Sequence, residues 1–171
     1  ARARYEAAFE GLPHYAHEHR ALVALRRTVA DRPEIVRILA SVDSAHVQAA
    51  RLEALPVRSP GGRAWAALRH MEAGRHGQAA RLWAALPVEE LASDLPAAWR
   101  AVVRRQLPVW QARCALRRGD YSEAWRYAQA AATTFRSVGA LNLAAVAEDL
   151  AQKARWAQQR GTEAVRVGAG K

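Results

Sequence analysis

The chain has 171 residues, enough for one domain with a buried core, and 51% of them are hydrophobic, many of them alanine. Its formal net charge is +10. Residues 1–100 contain 14 arginines and 11 acidic residues, and residues 101–171 contain 12 cationic and 5 acidic residues, so most of the excess positive charge is in the second part. No apolar run approaches the roughly 18 residues that a membrane helix needs, and a single cysteine, Cys114, excludes an internal disulfide and favours a reducing, cytoplasmic location.

Turn residues divide the N-terminal part of the chain into three short helices. The alanine-rich composition favours helix throughout, and glycine and proline residues separate one helix from the next. We predict helices at 2–10, at about 14–30 and from Pro33, which suits a first helical turn, to a break near 41–44. The second helix has an apolar stripe at helical spacing, formed by Ala21, Leu22, Leu25 and Val29.

An internal repeat follows these helices. The segment 46–57, HVQAARLEALPV, recurs at 76–88 as HGQAARLWAALPV, with one residue inserted in the second copy. Each copy predicts a short helix that ends at a proline, Pro56 or Pro87, because proline cannot continue the helical hydrogen bonds. A repeat of this length predicts stacked helical units.

A third, looser copy is found when Gly119 is aligned with Gly74. This alignment places Trp110 on Trp65, Ala112 on Ala67 and Ala124 on Ala79. Ser44 occupies the matching turn position in the first copy, so the three turns are 30 and 45 residues apart. Gly119 is predicted to end one helix in the left-handed conformation. Asp120 is predicted to cap the next helix, with Glu123 completing a capping box.

Four further helices are predicted between the second copy and the C-terminal tail. Asp94 with Pro96 marks the start of the first one. Pro108 separates or kinks the first two, and Gly139 separates the last two. The four helices cover 95–107, 108–118, 121–137 and 141–160.

These elements predict one helical-repeat domain over 1–160. Within it, 1–31 contributes N-terminal helices and 32–160 is the repeat-like part. The residues 161–171 show no periodicity and are predicted to form a tail or linker.

The run Gly-Asp-Tyr-Ser-Glu-Ala at 119–124, with the small residues aligned above, resembles the turn of a tetratricopeptide repeat. The resemblance covers roughly 33–160, although Arg37 stands where the first unit should have a small residue. It implies an all-α, right-handed solenoid of antiparallel helix pairs, with about eight or nine helices, that acts as an interaction or sensing scaffold. The stretch 120–150 looks like the repeats of large multidomain bacterial transcriptional activators, which implies a module of a regulatory protein.

The resemblance also implies a groove lined by the first helix of each pair, with Arg113 and Arg117 facing it. These two residues are four apart and so share one helix face. Their guanidiniums suit the carboxylates of an acidic peptide or partner domain, which they can bind through bidentate hydrogen bonds. The alternative is an arginine pair on a solvated surface that binds no partner.

A different class of function competes with the scaffold, because the basic second half can follow the phosphate backbone of a nucleic acid. Against it, the sequence has no recognisable nucleic-acid module, and aromatic residues do not alternate with the basic ones for base stacking. Homo-oligomerisation through an end of the stack is a third alternative. The basic residues concerned are Arg100, Arg104, Arg105, Arg113, Arg117, Arg118 and Arg126.

No pattern in the sequence predicts an enzyme, a cofactor or a metal. The histidines of 14–19, HYAHEH, match no zinc motif, and we interpret them as surface or packing residues. The terminal run 168–171 lacks the leading glycine and the final Ser or Thr of a phosphate loop. Cys114 has Arg113 and Arg117 nearby, which would lower the pKa of its thiol, but its alanine-rich helix favours a buried packing cysteine.

Tryptophan is the main large side chain of this chain. Trp65 and Trp110 recur at one repeat position, which predicts that both lie in the core between helices. Trp125 and Trp156 have no such counterpart, and either one suits a surface anchor.

Overall fold

The computed structural model describes residues 13–57, 59–93 and 95–168, with side chains over 16–57, 59–93 and 95–162. Over those residues the chain has nine α-helices and no strand, which confirms the predicted all-α class. The helix predicted at 2–10 lies outside the described residues. The helices are α1 (Pro13–Arg27), α2 (Pro33–Ala40), α3 (Ala45–Glu53), α4 (Pro60–Glu72), α5 (His76–Ala84), α6 (Val88–Ser93), α7 (Ala97–Arg118), α8 (Tyr121–Ser137) and α9 (Leu141–Gly168).

Three glycine turns join consecutive helices in the same way. Gly74, Gly119 and Gly139 have φ angles of 73°, 79° and 72°, in the left-handed region that favours glycine. In each turn the residue after the glycine donates its N–H to the carbonyl five residues earlier, the Schellman arrangement that satisfies the end of a helix. The left-handed helix end predicted at Gly119 is therefore confirmed, and Gly74, with which the sequence aligns it, makes the same turn. The N···O distances are 2.8 Å for Arg75–His70, 3.0 Å for Asp120–Ala115 and 2.9 Å for Ala140–Phe135.

Asp120 caps α8, but the predicted capping box is only half formed. The Asp120 side chain accepts the backbone N–H of Glu123 at 3.3 Å. A complete box also needs the Glu123 carboxylate to accept the backbone N–H of Asp120. That N–H is already donated to Ala115 in the Schellman turn, so Glu123 pairs with Arg126 at 2.9 Å instead.

The chain divides into two compact units, Ala1–Gln106 and Leu107–Lys171, and their boundary falls inside α7. Helix α7 continues through Pro108 without interruption, so the predicted separation into two helices is wrong. An interior proline costs a helix about 3 kcal/mol. The buried side chains of Leu107 and Val109, on either side of the proline, offset this cost by packing. The single repeat domain over 1–160 stays a prediction.

Helix α4 is the centre of the first unit. It contacts α1, α3, α5 and α6, and it is buried on nearly every side. Because most of its buried residues are glycine or alanine, neighbouring backbones can approach it closely. Trp65 fills the remaining space and is 5% exposed, as the recurrence of this tryptophan predicts. The buried residues of α4 are Gly61, Gly62, Ala64, Trp65, Ala66, Ala67, Leu68 and His70.

The two copies of the internal repeat form α3 and α5, and both helices contact α4. Each helix ends shortly before the proline predicted to end it, Pro56 or Pro87. Ala49 and Ala79, which the repeat aligns, are both fully buried. The repeat in the sequence therefore corresponds to two short helices that each bury an equivalent alanine.

One helix was not predicted, and another ends later than predicted. Helix α6 was missed, although Pro87 fixes the backbone before it and its first turn is acidic, as suits a helix start. Helix α9 continues through Gly161 to Gly168, so the predicted end at Arg160 is wrong. A glycine in a helix interior costs only about 1 kcal/mol, and Gly161 lacks the left-handed conformation that ends a helix at Gly139.

Layers of small residues hold the second unit together. Each layer takes residues from the second half of α7, from α8 and from α9. Residue numbers rise along α7 and α9 from layer to layer and fall along α8, so α8 is antiparallel to the other two helices. The layers contain Val109 with Ala131, Ala132, Phe135, Ala144 and Ala147, then Ala112, Ala128 and Ala151, and then Ala115, Ala124 and Ala154.

Gly61→Ala should destabilise the protein by about 1–3 kcal/mol. A Cβ at this position would lie 2.4 Å from Thr28 Oγ1 and 2.6 Å from Val29 Cγ1, and both side chains are β-branched and therefore stiff. The matched control is Gly77→Ala in α5, where a Cβ meets nothing within 4 Å. That change should stabilise the protein by about 0.5–1 kcal/mol.

Chemical denaturation followed by circular dichroism measures both variants against the parent chain. Equal effects of the two substitutions would contradict the close approach of α4 to the end of α1.

Candidate functional site

The arginine pair predicted to line a groove, Arg113 and Arg117, lies on one face of α7 within the second unit. Arg117 is exposed and makes no ion pair with a residue that the structure describes, and Arg113 is half-buried. The neighbouring residues Ala112 and Ala115 belong to the small-residue layers that fix α7 against α8 and α9. The two predicted residues are therefore held together on a supported helix, and the groove itself stays a prediction.

The described carboxylates of the second unit are already paired with cations of the same unit. Exposed pairs of this kind contribute only about 0.2–1 kcal/mol each, but they neutralise local charge. Arg117, Arg155 and Arg160 have no carboxylate partner among the described residues. The pairs are Arg118–Asp120 at 3.6 Å, Arg126–Glu123 at 2.9 Å, Lys153–Asp149 at 2.6 Å, and Arg136–Glu148.

The residues of the alternative basic surface are divided between the two units, and most of them have partners within the chain. Arg104, Arg118 and Arg126 each pair with a carboxylate, and Arg100 donates to the carbonyl of Leu95 at 3.1 Å. Arg105 is half-buried. These contacts reduce the positive charge that this set of residues can offer to a phosphate backbone.

An arginine–tryptophan pair that the sequence analysis did not predict joins α8 to α9. The guanidinium of Arg155 lies 5.8 Å from the centre of the Trp125 ring. Trp125 is 38% exposed and Trp156 is 54% exposed, so both tryptophans predicted as possible surface anchors do reach solvent. The Gly139 turn joins α8 to α9, but a turn alone does not specify which residues of the two helices come together, so no local signal in the sequence indicated this pair.

A contact between a buried histidine and a half-exposed glutamate joins α3 to α4 and was also not predicted. His70 is 1% exposed, and its Nε2 atom lies 2.7 Å from Glu53 Oε2. The two residues belong to no common motif, and only the packing of the helices brings them into contact. We interpret this pair as a contact that stabilises the packing of α3 against α4, because breaking it would leave a buried imidazole without its partner.

Within the 14–19 histidine segment, His17 makes a specific contact to α7. Its Nδ1 atom lies 3.0 Å from Gln106 Oε1, and His19 is exposed. Burial lowers the pKa of His17, and this effect outweighs the hydrogen bond with Gln106, which raises it. His17 therefore acts as a packing histidine, and the side chain of His14 lies outside the described residues.

Cys114 lies in the core, as predicted. It is 1% exposed, and burial raises the pKa of its thiol despite the opposing effect of Arg118. The neighbouring arginines considered in the sequence analysis therefore do not activate this cysteine. A thiol with a raised pKa stays protonated and is a poor nucleophile.

The stability of the protein should fall as the pH decreases below about 6.5, and His17→Gln should weaken this dependence. The pKa of His17 is lower in the folded chain than its ordinary value of 6.5, so the unfolded chain binds a proton first. The contribution of neutral His17 to the free energy of unfolding is fully present above the ordinary pKa of 6.5. It is lost as the pH falls from 6.5 towards the lowered pKa of the folded chain. Urea denaturation of the parent chain and of the variant at about pH 7.5 and about pH 5 measures this difference.

His19→Gln is the matched control, because His19 lies on the same helix and is exposed. It should keep the pH dependence of the parent chain. An unchanged pH dependence in His17→Gln would contradict the lowered pKa of the half-buried His17.

None of the described helices combines the length and the apolar character needed to cross a membrane. Among the side chains that the structure describes, no three of histidine, cysteine, aspartate or glutamate lie together as a metal site. No family model matches the chain, and no curated protein or solved structure is significantly similar to it.

Proposed function

We propose that this chain is a tetratricopeptide-like repeat module that binds an acidic peptide or protein domain on the face of α7 that carries Arg113 and Arg117. It would serve within a cytoplasmic bacterial regulatory protein and would bind its partner without catalysing a reaction. The observation that carries this proposal is Arg117, an exposed cation one helical turn from Arg113. It lies in a unit whose described carboxylates all have cation partners.

The equivalence of the two clearest repeat units supports a repeat architecture. Gly74 and Gly119 make the same left-handed turn between helices of a pair. Trp65 and Trp110, which precede these turns at matching positions, are 5% and 2% exposed. A solenoid also requires the first helix of one pair to run parallel to the first helix of the next. The parallel arrangement of α7 and α9 meets this requirement.

Rigidity and charge would together provide the binding. The second half of α7 is fixed by the layers around Ala112 and Ala115, so the backbone that carries Arg113 and Arg117 needs no ordering when a partner binds. Each guanidinium can donate two parallel hydrogen bonds to one carboxylate, which gives orientation as well as affinity. An acidic segment with carboxylates one helical turn apart matches this pair.

Replacing both Arg113 and Arg117 with glutamate should weaken binding of a glutamate-rich peptide by about tenfold or more, because two attractions become repulsions. Fluorescence anisotropy of the labelled peptide, near physiological salt, measures the affinity. The matched control is Arg81→Glu with Arg160→Glu, which changes the net charge equally at two exposed arginines on other helices.

Equal losses in the two double variants would contradict the site and indicate attraction to net charge alone. Absence of peptide binding by the parent chain would contradict the proposed function. Tighter binding of an oligothymidylate, with a steep dependence on salt, would favour the nucleic-acid alternative.

A further inference from the structure

The edge where α8 meets α9 is crossed by three side-chain contacts. Ser122 accepts a hydrogen bond from Gln158 at 3.2 Å near the start of α8, and Arg136 pairs with Glu148 near its end. Between these polar pairs lies the stack of Arg155 on Trp125. We call the middle part of this edge, Trp125 with Arg155, the Trp125 edge.

The Trp125 edge exposes part of an aromatic ring to solvent. Trp65, Trp83 and Trp110 are all at most 5% exposed, whereas Trp125 is 38% exposed. Tryptophan and arginine are the residues most enriched among those that dominate protein–protein binding. Trp156 is also exposed, but it follows Arg155 directly and so lies about 100° further around α9, on another face.

Arg155 has the geometry of an anion receptor held ready for a partner. The guanidinium carbon of Arg155 lies over the Trp125 ring at 5.8 Å from its centre, within the range of a cation–π attraction, and this attraction leaves the N–H groups of Arg155 able to donate hydrogen bonds to a partner. Arg155 has no carboxylate partner among the residues that the structure describes, and Glu148, on the same helix, pairs with Arg136 of α8. The edge therefore combines an oriented positive charge with an exposed apolar ring.

We propose that the Trp125 edge is a second docking surface, separate from the arginines of α7, for an acidic protein segment that carries an apolar residue next to a carboxylate. The carboxylate binds the edge of the Arg155 guanidinium, and the apolar residue covers the exposed part of the Trp125 ring. Because the guanidinium of Arg155 is already in contact with Trp125 before binding, the side chain of Arg155 loses less conformational freedom when the partner binds.

A protein segment fits this edge better than a nucleic acid. Base stacking needs an open ring face, and Arg155 already occupies one face of Trp125. A phosphate backbone also needs a row of available cations. The two cations on the same helix as Trp125, Arg126 and Arg136, are paired with Glu123 and Glu148.

The test measures binding of a labelled glutamate-rich peptide containing one leucine, near physiological salt, by fluorescence anisotropy. Arg155→Gln and Trp125→Ala should each weaken binding at least about threefold. Arg160→Gln and Trp156→Ala remove the same kinds of side chain from other positions of α9 and should change the affinity little. Arg155→Lys keeps the charge but loses the planar fork, and it should behave like Arg155→Gln.

Each other outcome overturns the proposal in a distinct way. Equal losses in Arg155→Gln and Arg160→Gln, or full binding by Arg155→Lys, would indicate net charge without a site. Equal affinity for a peptide without leucine would remove the role of the Trp125 ring. Tighter binding of an oligothymidylate that depends on Trp125 would make the surface a nucleic-acid site. A loss confined to the variants at Arg113 and Arg117 would leave the proposed function intact and reject this second surface. Absence of peptide binding by the parent chain would reject both.

Discussion

The close approach of neighbouring helices to α4 is the contact on which the first unit depends. It is possible because most of the residues that α4 buries are glycine or alanine, and Gly61 in particular leaves room for Thr28 and Val29. Small residues bring helix axes together and give many weak dispersion contacts, in place of a few large buried side chains. One tryptophan, Trp65, then fills the space that the small residues leave.

The second unit uses the same device with different residues. Layers of alanine join α7, α8 and α9, and Phe135 and Val109 close one end. Cores of this kind resist a change of even one methyl group, so the helices keep a fixed register. The layers therefore fix the backbone positions of the helices from which Arg117 and Arg155 project. Cys114 lies inside the core and is a poor nucleophile, so the side chains proposed to bind a partner are all outside the core.

Much of the fold could be predicted from local signals, because glycine turns and prolines act within a few residues. Gly74 and Gly119 are equivalent, and both aligned tryptophans are buried. The errors arise where packing outweighs a local rule: Pro108 remains inside a helix because its neighbours are buried, and Glu123 cannot complete a box whose donor is already used. For the candidate site, the sequence alone predicted that Arg113 and Arg117 share one helix face, because they are four residues apart. The pairing of Trp125 with Arg155 depends on the register of two helices, which no single motif encodes.

Amide hydrogen exchange, resolved by residue under native conditions, tests the central place of α4 most directly. If the close packing around α4 holds the first unit together, its amides over 64–70 should exchange only through global unfolding. They should then be slower than the amides of α3 and α5, which each lie on one side of it. Exchange of the α4 amides as fast as those of α3 and α5, through local opening, would contradict this account.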